Sequence, residues 1–212
     1  MTIVLSSCGQ SNKSMPEKVT IDLKTADSTT KDKTPTHFPS KYINTESIDT
    51  DSTYTDSNGI DVTIQNSLPR GGPYTDPTGK TFGQAIFWSR VINETDTPLE
   101  LTINFPADSF AIPPSPDSYL KLYVSPNASL YNYSQTDLNS FLDTGINKPT
   151  LLQITLDPKE ECLFNIGTVS YQSGGMVRAG LVLKEQALFY RISIIPHFES
   201  ALFPCGQIVL KS

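Results

Sequence analysis

Apolar and polar residues alternate from Ile60 onward, and this two-residue period constrains the fold more than any other feature of the chain. In the clearest segment, Leu99–Phe105, the residues Leu, Leu, Ile and Phe alternate with Glu, Thr and Asn. Residues 60–65 and 119–124 follow the same pattern. Because successive side chains of a β-strand point to opposite faces, each segment is predicted to be a strand with one buried face.

Six further segments have the composition of strands, and turn residues separate them. They are 81–93, 150–156, 161–171, 176–184, 187–195 and 206–211. Only Thr136–Leu142 has helical spacing, with Leu138, Phe141 and Leu142 on one side. About nine short strands in about 150 residues predict an all-β fold, namely an antiparallel, Ig-like β-sandwich with one short helix. A closed barrel is the alternative.

The N-terminal part of the chain has a different composition. Only three of the 20 aromatic residues lie in the first 58 positions, and 17 of the 50 residues from Ser11 to Ile60 are Ser or Thr. A segment so poor in large apolar groups cannot bury enough surface to offset the entropy lost on ordering it. We therefore predict a disordered, flexible tether over residues 9–58 and a β-sandwich domain over residues 59–212.

Charge and composition restrict the function. The formal net charge of −6 argues against a nucleic-acid partner, which would favour a basic patch. Two histidines in the whole chain make a His-rich metal centre unexpected. The chain also lacks a run of about 18 apolar residues, so no transmembrane helix is predicted.

The motifs of known catalytic sites are missing or incomplete. Gly79-Lys80-Thr81 matches the last part of a P-loop, but Tyr74 occupies the position that needs the first glycine, so a hairpin turn is predicted instead. The chain has neither a Gly-x-Ser-x-Gly elbow nor a His-Glu-x-x-His pair. We therefore expect a protein that is not an enzyme and needs neither a metal nor a cofactor.

The segment Ile3–Gly9 resembles the end of a bacterial lipoprotein signal peptide. Leu5-Ser6-Ser7-Cys8 matches the lipobox, which has an aliphatic residue, two small residues and a cysteine. The resemblance implies that residues 1–8 are a signal-peptide remnant and that the Cys8 thiol carries a diacylglyceryl group. The several acyl chains of a mature lipoprotein would hold the protein firmly on a membrane.

The segment before Cys8 is shorter than a complete signal peptide. Seven residues precede it, with an apolar run of three, whereas a signal peptide has an apolar region of about 7–15 residues. We therefore expect the natural signal to begin further upstream. Gly9 does not resemble an inner-membrane retention signal, so the resemblance implies the outer membrane. The alternative is a chance Leu-Ser-Ser-Cys at the N-terminus of a cytosolic protein.

The domain itself resembles small bacterial lipoproteins that have no established activity. Four segments carry this resemblance: Asn66–Gly72, Asn93–Thr95, Pro98–Leu101 and Pro204–Gly206. They are turns and strand ends, so the resemblance implies a location in the cell envelope and no reaction.

Cys162 and Cys205 form an even pair once Cys8 is assigned to lipid attachment. In an oxidising compartment such a pair can form a disulfide, which would stabilise the fold by roughly 4 kcal/mol. The alternative is two free, buried thiols that pack as small apolar side chains.

Four tyrosines form a candidate ligand-binding surface. Tyr119 and Tyr123 alternate with the apolar face of their predicted strand, and Tyr131 and Tyr133 follow in the next loop. A row of exposed rings can stack on sugar faces or anchor a protein. The alternative is that both faces of this strand are covered, or that the tyrosines simply cover the surface of a sheet. The sequence thus predicts a lipid-anchored envelope protein that binds or scaffolds, with a glycan or an envelope protein as its partner.

Overall fold

The computed structural model describes residues 47–57, 60–106, 108, 110–112, 115–125, 135–145, 148–171, 176–195 and 198–211. The described residues form twelve strands and one helix. The strands are β1 (Ile48–Thr55), β2 (Asp61–Ser67), β3 (Arg70–Thr75), β4 (Thr81–Asn93), β5 (Leu99–Phe105), β6 (Phe110–Ile112), β7 (Ser115–Ser125), β8 (Thr150–Leu156), β9 (Glu161–Tyr171), β10 (Met176–Lys184), β11 (Ala187–Ile195) and β12 (Phe198–Leu210), and the helix is α1 (Gln135–Gly145).

The strands form two antiparallel sheets that pack face to face. The first sheet has the order β1-β2-β4-β9-β7-β6, with β3 paired to β4 beside this path, and the second has the order β10-β11-β12-β5-β8. Across the interface, β10 lies against β2 and β4, and β5 and β8 lie against β7. The predicted all-β sandwich is confirmed.

The core between the sheets is built from the alternating apolar residues. The four apolar residues of Leu99–Phe105 are buried, whereas Glu100, Thr102 and Asn104 face outward and retain contact with solvent. Each of the nine segments predicted to be a strand lies in a strand, except for the end residues Ile60 and Lys211. The predicted helix is present as α1 and is longer by a few residues.

The sandwich begins earlier in the chain than the sequence predicts. Strand β1 pairs with β2 from Ile48 to Thr55, so the predicted boundary at residue 58 is wrong. β1 was missed because it is an edge strand whose side chains are mostly exposed, so it has no apolar alternation. In addition to this backbone pairing, side chains join β1 to β2, as in the hydrogen bond of 3.1 Å between the hydroxyls of Thr53 and Thr63. The rest of the predicted tether, residues 9–46, lies outside the described residues.

Strands β2 and β3 run along β4 almost as one strand, interrupted at Leu68 and Pro69. At the interruption the Ser67 hydroxyl accepts a hydrogen bond of 2.9 Å from the backbone N–H of Trp88. A side-chain oxygen thus replaces the carbonyl that a continuous strand would supply. Pro69 has no N–H to leave unpaired, which suits it to this break.

The predicted hairpin turn after β3 is confirmed. One carboxylate oxygen of Asp76 accepts hydrogen bonds from the N–H groups of Thr78 and Lys80 and from the Thr78 hydroxyl. Gly79 takes φ 86°, a conformation that favours glycine. The Thr78 hydroxyl bond, together with the two backbone bonds and the charge of Lys80, lowers the pKa of Asp76 below its ordinary value.

Helix α1 covers the outer face of the first sheet over a second apolar cluster. Leu138 and Leu142 of the helix are buried there. They pack with five residues of the sheet: Tyr74, Phe82, Ile86, Tyr123 and Val169. The Tyr74 hydroxyl also donates a hydrogen bond of 2.7 Å to the carboxylate of Asp143, which fixes the helix to β3.

Candidate functional site

Tyr123 does not belong to a ligand-binding surface. Its side chain is 1% exposed and lies in the cluster beneath α1. Its ring lies over Gly167 of the neighbouring strand, where a Cβ atom would collide with it. The expectation that Tyr123 is exposed is therefore wrong, and the alternative that both faces of this strand are covered is confirmed at this residue. Burial also raises the pKa of its hydroxyl.

The strand register places Tyr119 in line with aromatic residues of three other strands. The strand register aligns Tyr74 on β3 with Phe82 on β4, and Tyr119 on β7 with Tyr171 on β9. The Phe82 and Tyr171 rings join the two pairs, with 5.6 Å between their centroids. The Lys80 ammonium lies 3.5 Å from the centroid of the Tyr171 ring, a cation–π contact.

Of the described rings in this row, Tyr171 is the one that a ligand can best reach. Tyr74 and Phe82 are buried, whereas Tyr171 is only half-buried. The other two predicted contact residues, Tyr131 and Tyr133, lie outside the described residues. Of the four predicted tyrosines, Tyr119 is therefore the one that the register places beside an accessible ring.

The two domain cysteines are free, buried thiols. Cys162 packs in the core from β9, and the Cys205 thiol on β12 lies 3.5 Å from the backbone oxygen of Leu188. Burial is the main cause that raises the pKa of each thiol to about 12. The structure therefore has the alternative that the sequence left open, two thiols that pack as small apolar groups, and the possible disulfide is not formed.

The register explains why these cysteines do not pair. Strand β9 begins at the end of the sandwich where β12 finishes. Cys162 is the second residue of β9, whereas Cys205 lies five residues before the end of β12. At roughly 3.3 Å per residue, their levels along the strands differ by roughly 10 Å. A disulfide needs Cα atoms within about 7 Å.

A concave site lies between the two sheets at the end of the sandwich opposite Cys162. We call it the inter-sheet cleft, and its volume is about 320 Å³. The first sheet contributes the small residues Gly83, Ala85, Thr168 and Ser170 as its floor. The other described lining residues are Pro69, Gly71, Gly72, Gln84, Met176 and Val177.

The described lining of the inter-sheet cleft has hydrogen-bonding groups and no charged side chain. None of its ten described lining residues is ionisable. Gln84 contributes only its backbone to the cleft, because its side chain lies on the outer face of the first sheet with Phe82 and Ile86. The hydroxyls of Thr168 and Ser170 donate long hydrogen bonds, of 3.3 and 3.4 Å, to the backbone oxygens of Ala85 and Gly83. Two weakly held hydroxyls suit binding of a neutral polar ligand.

A second concavity, of about 260 Å³, lies where β1 approaches the end of β10. It contains the carboxylates of Asp56 and Glu185. Asp56 closes the turn between β1 and β2, because its carboxylate accepts a hydrogen bond of 2.8 Å from the N–H of Ile60. This concavity is therefore part of the turn between β1 and β2, and it is a weaker candidate for a binding site than the inter-sheet cleft.

Other features of the described residues add no further site. No group of three or more described His, Cys, Asp or Glu side chains is arranged to hold a metal ion. No helix in the described part of the chain is long and apolar enough to cross a membrane. Cys8 lies outside the described residues.

The sequence contains a weak signal of the inter-sheet cleft. Gly71 and Gly72 follow Pro69 within a predicted turn, and Gly83 lies inside a predicted strand. Glycine within a strand marks a bulge or a place where another chain approaches closely. The signal is too general to locate a cleft without knowing how β10 packs on the first sheet.

Comparison with known proteins does not assign the chain to a family. No family model matches it, and no curated protein matches it at a significant level.

Proposed function

We propose that the protein is a lipid-anchored binding module of the bacterial cell envelope, attached to the outer membrane through Cys8. The lipobox Leu5-Ser6-Ser7-Cys8 supports the anchor. The inter-sheet cleft is the observation that carries the binding role. It is concave, partly apolar and equipped with a few hydrogen-bonding groups, as ligand sites usually are.

The chemistry of the inter-sheet cleft favours binding over catalysis. General acid–base and nucleophilic mechanisms need a group that takes up or releases a proton, or an activated nucleophile. The described lining residues offer hydroxyls and backbone groups, and none of these has a base beside it. The site can therefore hold and orient a neutral ligand.

Membrane fractionation of the native host tests the anchor. We expect the protein to sediment with outer membranes, and the variant Cys8→Ala to appear in the soluble fraction. The control Ser7→Ala keeps a small residue in the lipobox and is expected to sediment like the parent protein. A Cys8→Ala variant that stays in the membrane fraction would contradict the proposal.

A glycan-binding module is the second candidate, and the aromatic row favours it. Tyr119 and Tyr171 are register neighbours in the first sheet, and the Tyr171 side chain is half-buried. Adjacent rings on a sheet can stack on successive sugar units. Tyr171 therefore replaces Tyr123 among the candidate ligand-contact residues.

Affinity electrophoresis in gels that contain polysaccharides tests this candidate. We expect the parent protein to be retarded, and Tyr119→Ala and Tyr171→Ala to lose the retardation. Tyr171→Phe keeps the ring and should still be retarded. Normal mobility of the parent protein across mannan, chitin-derived and bacterial surface polysaccharides would exclude the candidate.

A further inference from the structure

Five strands lie at the edges of the two sheets, where each has a described neighbour on one side only. They are β1, β3, β6, β8 and β10. An edge strand can pair with another chain unless a charge, a proline, a short length or a covering group opposes it. β1 carries Asp49 and Asp51, β3 contains Pro73, and β6 has only three residues. Each of these three strands therefore has a feature that opposes pairing.

The edge of β10 is closed by a side chain that imitates a strand. The Asn66 carboxamide donates a hydrogen bond of 3.1 Å to the backbone oxygen of Leu181 and accepts one of 2.8 Å from its N–H. A carboxamide has the same donor and acceptor as a peptide group. Asn66 therefore occupies the two positions that a neighbouring strand would use on this edge.

Strand β8 has none of these protective features. It extends over seven residues, Thr150–Leu156, and contains neither a charged residue nor a proline. Leu151 is 59% exposed, more than any other large apolar side chain in the described part of the chain. Gln153 and Thr155 are exposed on the same face. An uncharged, accessible edge of this length is one that pairs readily with another strand.

The register determines which backbone groups of β8 point outward. The Lys211 N–H donates a hydrogen bond of 2.8 Å to the Pro98 oxygen, which continues the pairing of β12 with β5. Every second residue of β5 from Pro98 onward therefore bonds to β12, and the residues between them bond to β8. The latter lie opposite the even-numbered residues of β8. The odd-numbered residues direct their N–H and C=O groups away from β5, and no other described element bonds to them. These residues are Leu151, Gln153 and Thr155.

The three outward residues are spaced symmetrically about Gln153. If two copies of β8 run antiparallel with Gln153 opposite Gln153, Leu151 of each copy lies opposite Thr155 of the other. Each copy then contributes three N–H and three C=O groups, so the pairing forms six hydrogen bonds and leaves none of these groups without a partner.

The charges around β8 also permit two copies to meet there. The chain has a formal net charge of −6, so two copies repel each other over most of their surface. β8 places no charged residue opposite another. On the neighbouring strand the Glu100 carboxylate lies 3.8 Å from the Lys211 ammonium, so this carboxylate is already paired.

We propose that two copies of the chain associate through β8 into a symmetric dimer, in which their five-stranded sheets join into one antiparallel sheet of ten strands. A second copy fits this edge because the outward groups are symmetric about Gln153 and the strand has no charge that would select a partner of opposite sign. An interface with two-fold symmetry closes on itself, so assembly stops at two copies. β8 lies at the opposite edge of its sheet from β10 and the inter-sheet cleft, so the inference does not rest on the proposed binding function.

Sedimentation velocity of the full-length chain tests the inference. The protein carries Cys8→Ala, so that neither a lipid nor a disulfide through Cys8 joins two copies. We expect the sedimenting species to change from one chain to two as the concentration rises. Gln153→Pro removes an N–H that the pairing with β5 does not use, so the edge tolerates it. It should weaken association about thirtyfold, because symmetry removes two hydrogen bonds and places two proline rings in the interface.

The matched control is Gln153→Thr, which keeps the N–H at the same position. Threonine suits a strand, and only cross-strand side-chain contacts change, so association should differ from the parent by less than about threefold. Circular dichroism establishes that both variants fold.

An exchange of charges tests the pairing of Gln153 with itself. Gln153→Lys and Gln153→Glu each place like charges directly opposite and should weaken association about fivefold. An equimolar mixture of the two variants should associate about as tightly as the parent, because opposite charges then face each other. Gln207→Lys makes the same change at an exposed glutamine of β12 and should leave association unchanged.

Three results would overturn the inference. One is a chain that stays monomeric up to about 1 mM. Another is equal association of Gln153→Pro and Gln153→Thr. The third is a mixture of Gln153→Lys and Gln153→Glu that associates no better than either variant alone. If Gln153→Pro does not fold, this mixture still decides, because both of its substitutions change only an exposed side chain.

Discussion

The Asn66 side chain joins the two sheets by bonding both backbone groups of Leu181 across the sandwich. Its carboxamide also donates to the Thr50 hydroxyl at 3.0 Å and accepts from the Ser89 hydroxyl at 2.8 Å. The close approach requires Gly180, because a Cβ there would lie 2.9 Å from the amide of Asn66. All of this occurs at a buried position, where an unpaired polar group is costly.

Asn66→Ala is therefore expected to destabilise the fold strongly. It leaves the N–H and C=O of Leu181 without partners, which costs about 2–4 kcal/mol of unfolding free energy. The control is Asn104→Ala, which alters an exposed asparagine of another strand and should stay within about 0.5 kcal/mol. Urea unfolding measures both. A loss below about 1 kcal/mol for Asn66→Ala would show that water replaces the amide.

Gly167→Ala is expected to disrupt the cluster beneath α1. The added methyl group collides with the Tyr123 ring, so the ring must leave its place over β9. We expect a loss of about 3 kcal/mol or more, as for overpacking that a core cannot relax. Gly72→Ala is the matched control, because its methyl group meets no atom within 4 Å. Similar unfolding midpoints for the two variants would contradict the packing described for Tyr123.

Tyr190→Phe is expected to be neutral or stabilising. The Tyr190 hydroxyl is buried in the core between the sheets and has no partner among the described residues. Its removal should change the unfolding free energy by between zero and a gain of about 1–2 kcal/mol. Tyr74→Phe, in contrast, loses the bond to Asp143 and should cost about 1–2 kcal/mol. A comparable loss for Tyr190→Phe would reveal a buried partner.

The turn at Asp76 should make stability depend on pH in the acidic range. The hydrogen bonds of this carboxylate lower its pKa in the folded state. Its contribution is therefore complete above the unfolded pKa of about 3.9 and is lost as the pH falls through the folded value. Asp76→Ala should destabilise the protein at pH 7 and much less near pH 2.5. Asp96→Ala removes an almost fully exposed carboxylate and should have little effect at either pH. An effect of Asp76→Ala that is the same at both pH values would contradict this assignment.

The elements with an alternating pattern could be predicted, and those without one could not. Leu99–Phe105 buries one face and exposes the other, so apolar and polar residues alternate along its sequence. β1 has only three partly buried side chains and none that is fully buried, and β6 has only three residues, so neither shows a clear alternation. The sequence does not predict β3 for a related reason, because Pro69, Gly71 and Gly72 are typical of a turn.

The candidate site depends on contacts between distant parts of the chain. Alternation correctly placed Tyr123 on the face opposite Leu122, but whether that face is exposed depends on where α1 docks. Likewise, the inter-sheet cleft exists because β10 packs beside the interruption at Pro69. Whether Cys162 and Cys205 can form a disulfide depends on the relative positions of two strands in different sheets. None of these relationships is encoded in a local pattern.

The intact mass of the protein extracted from membranes of its native host tests the central claim most directly. The account predicts a mature chain that begins at Cys8 and carries the added mass of a diacylglyceryl group and a further acyl chain. A chain that still contains Met1 and has no added mass would contradict it.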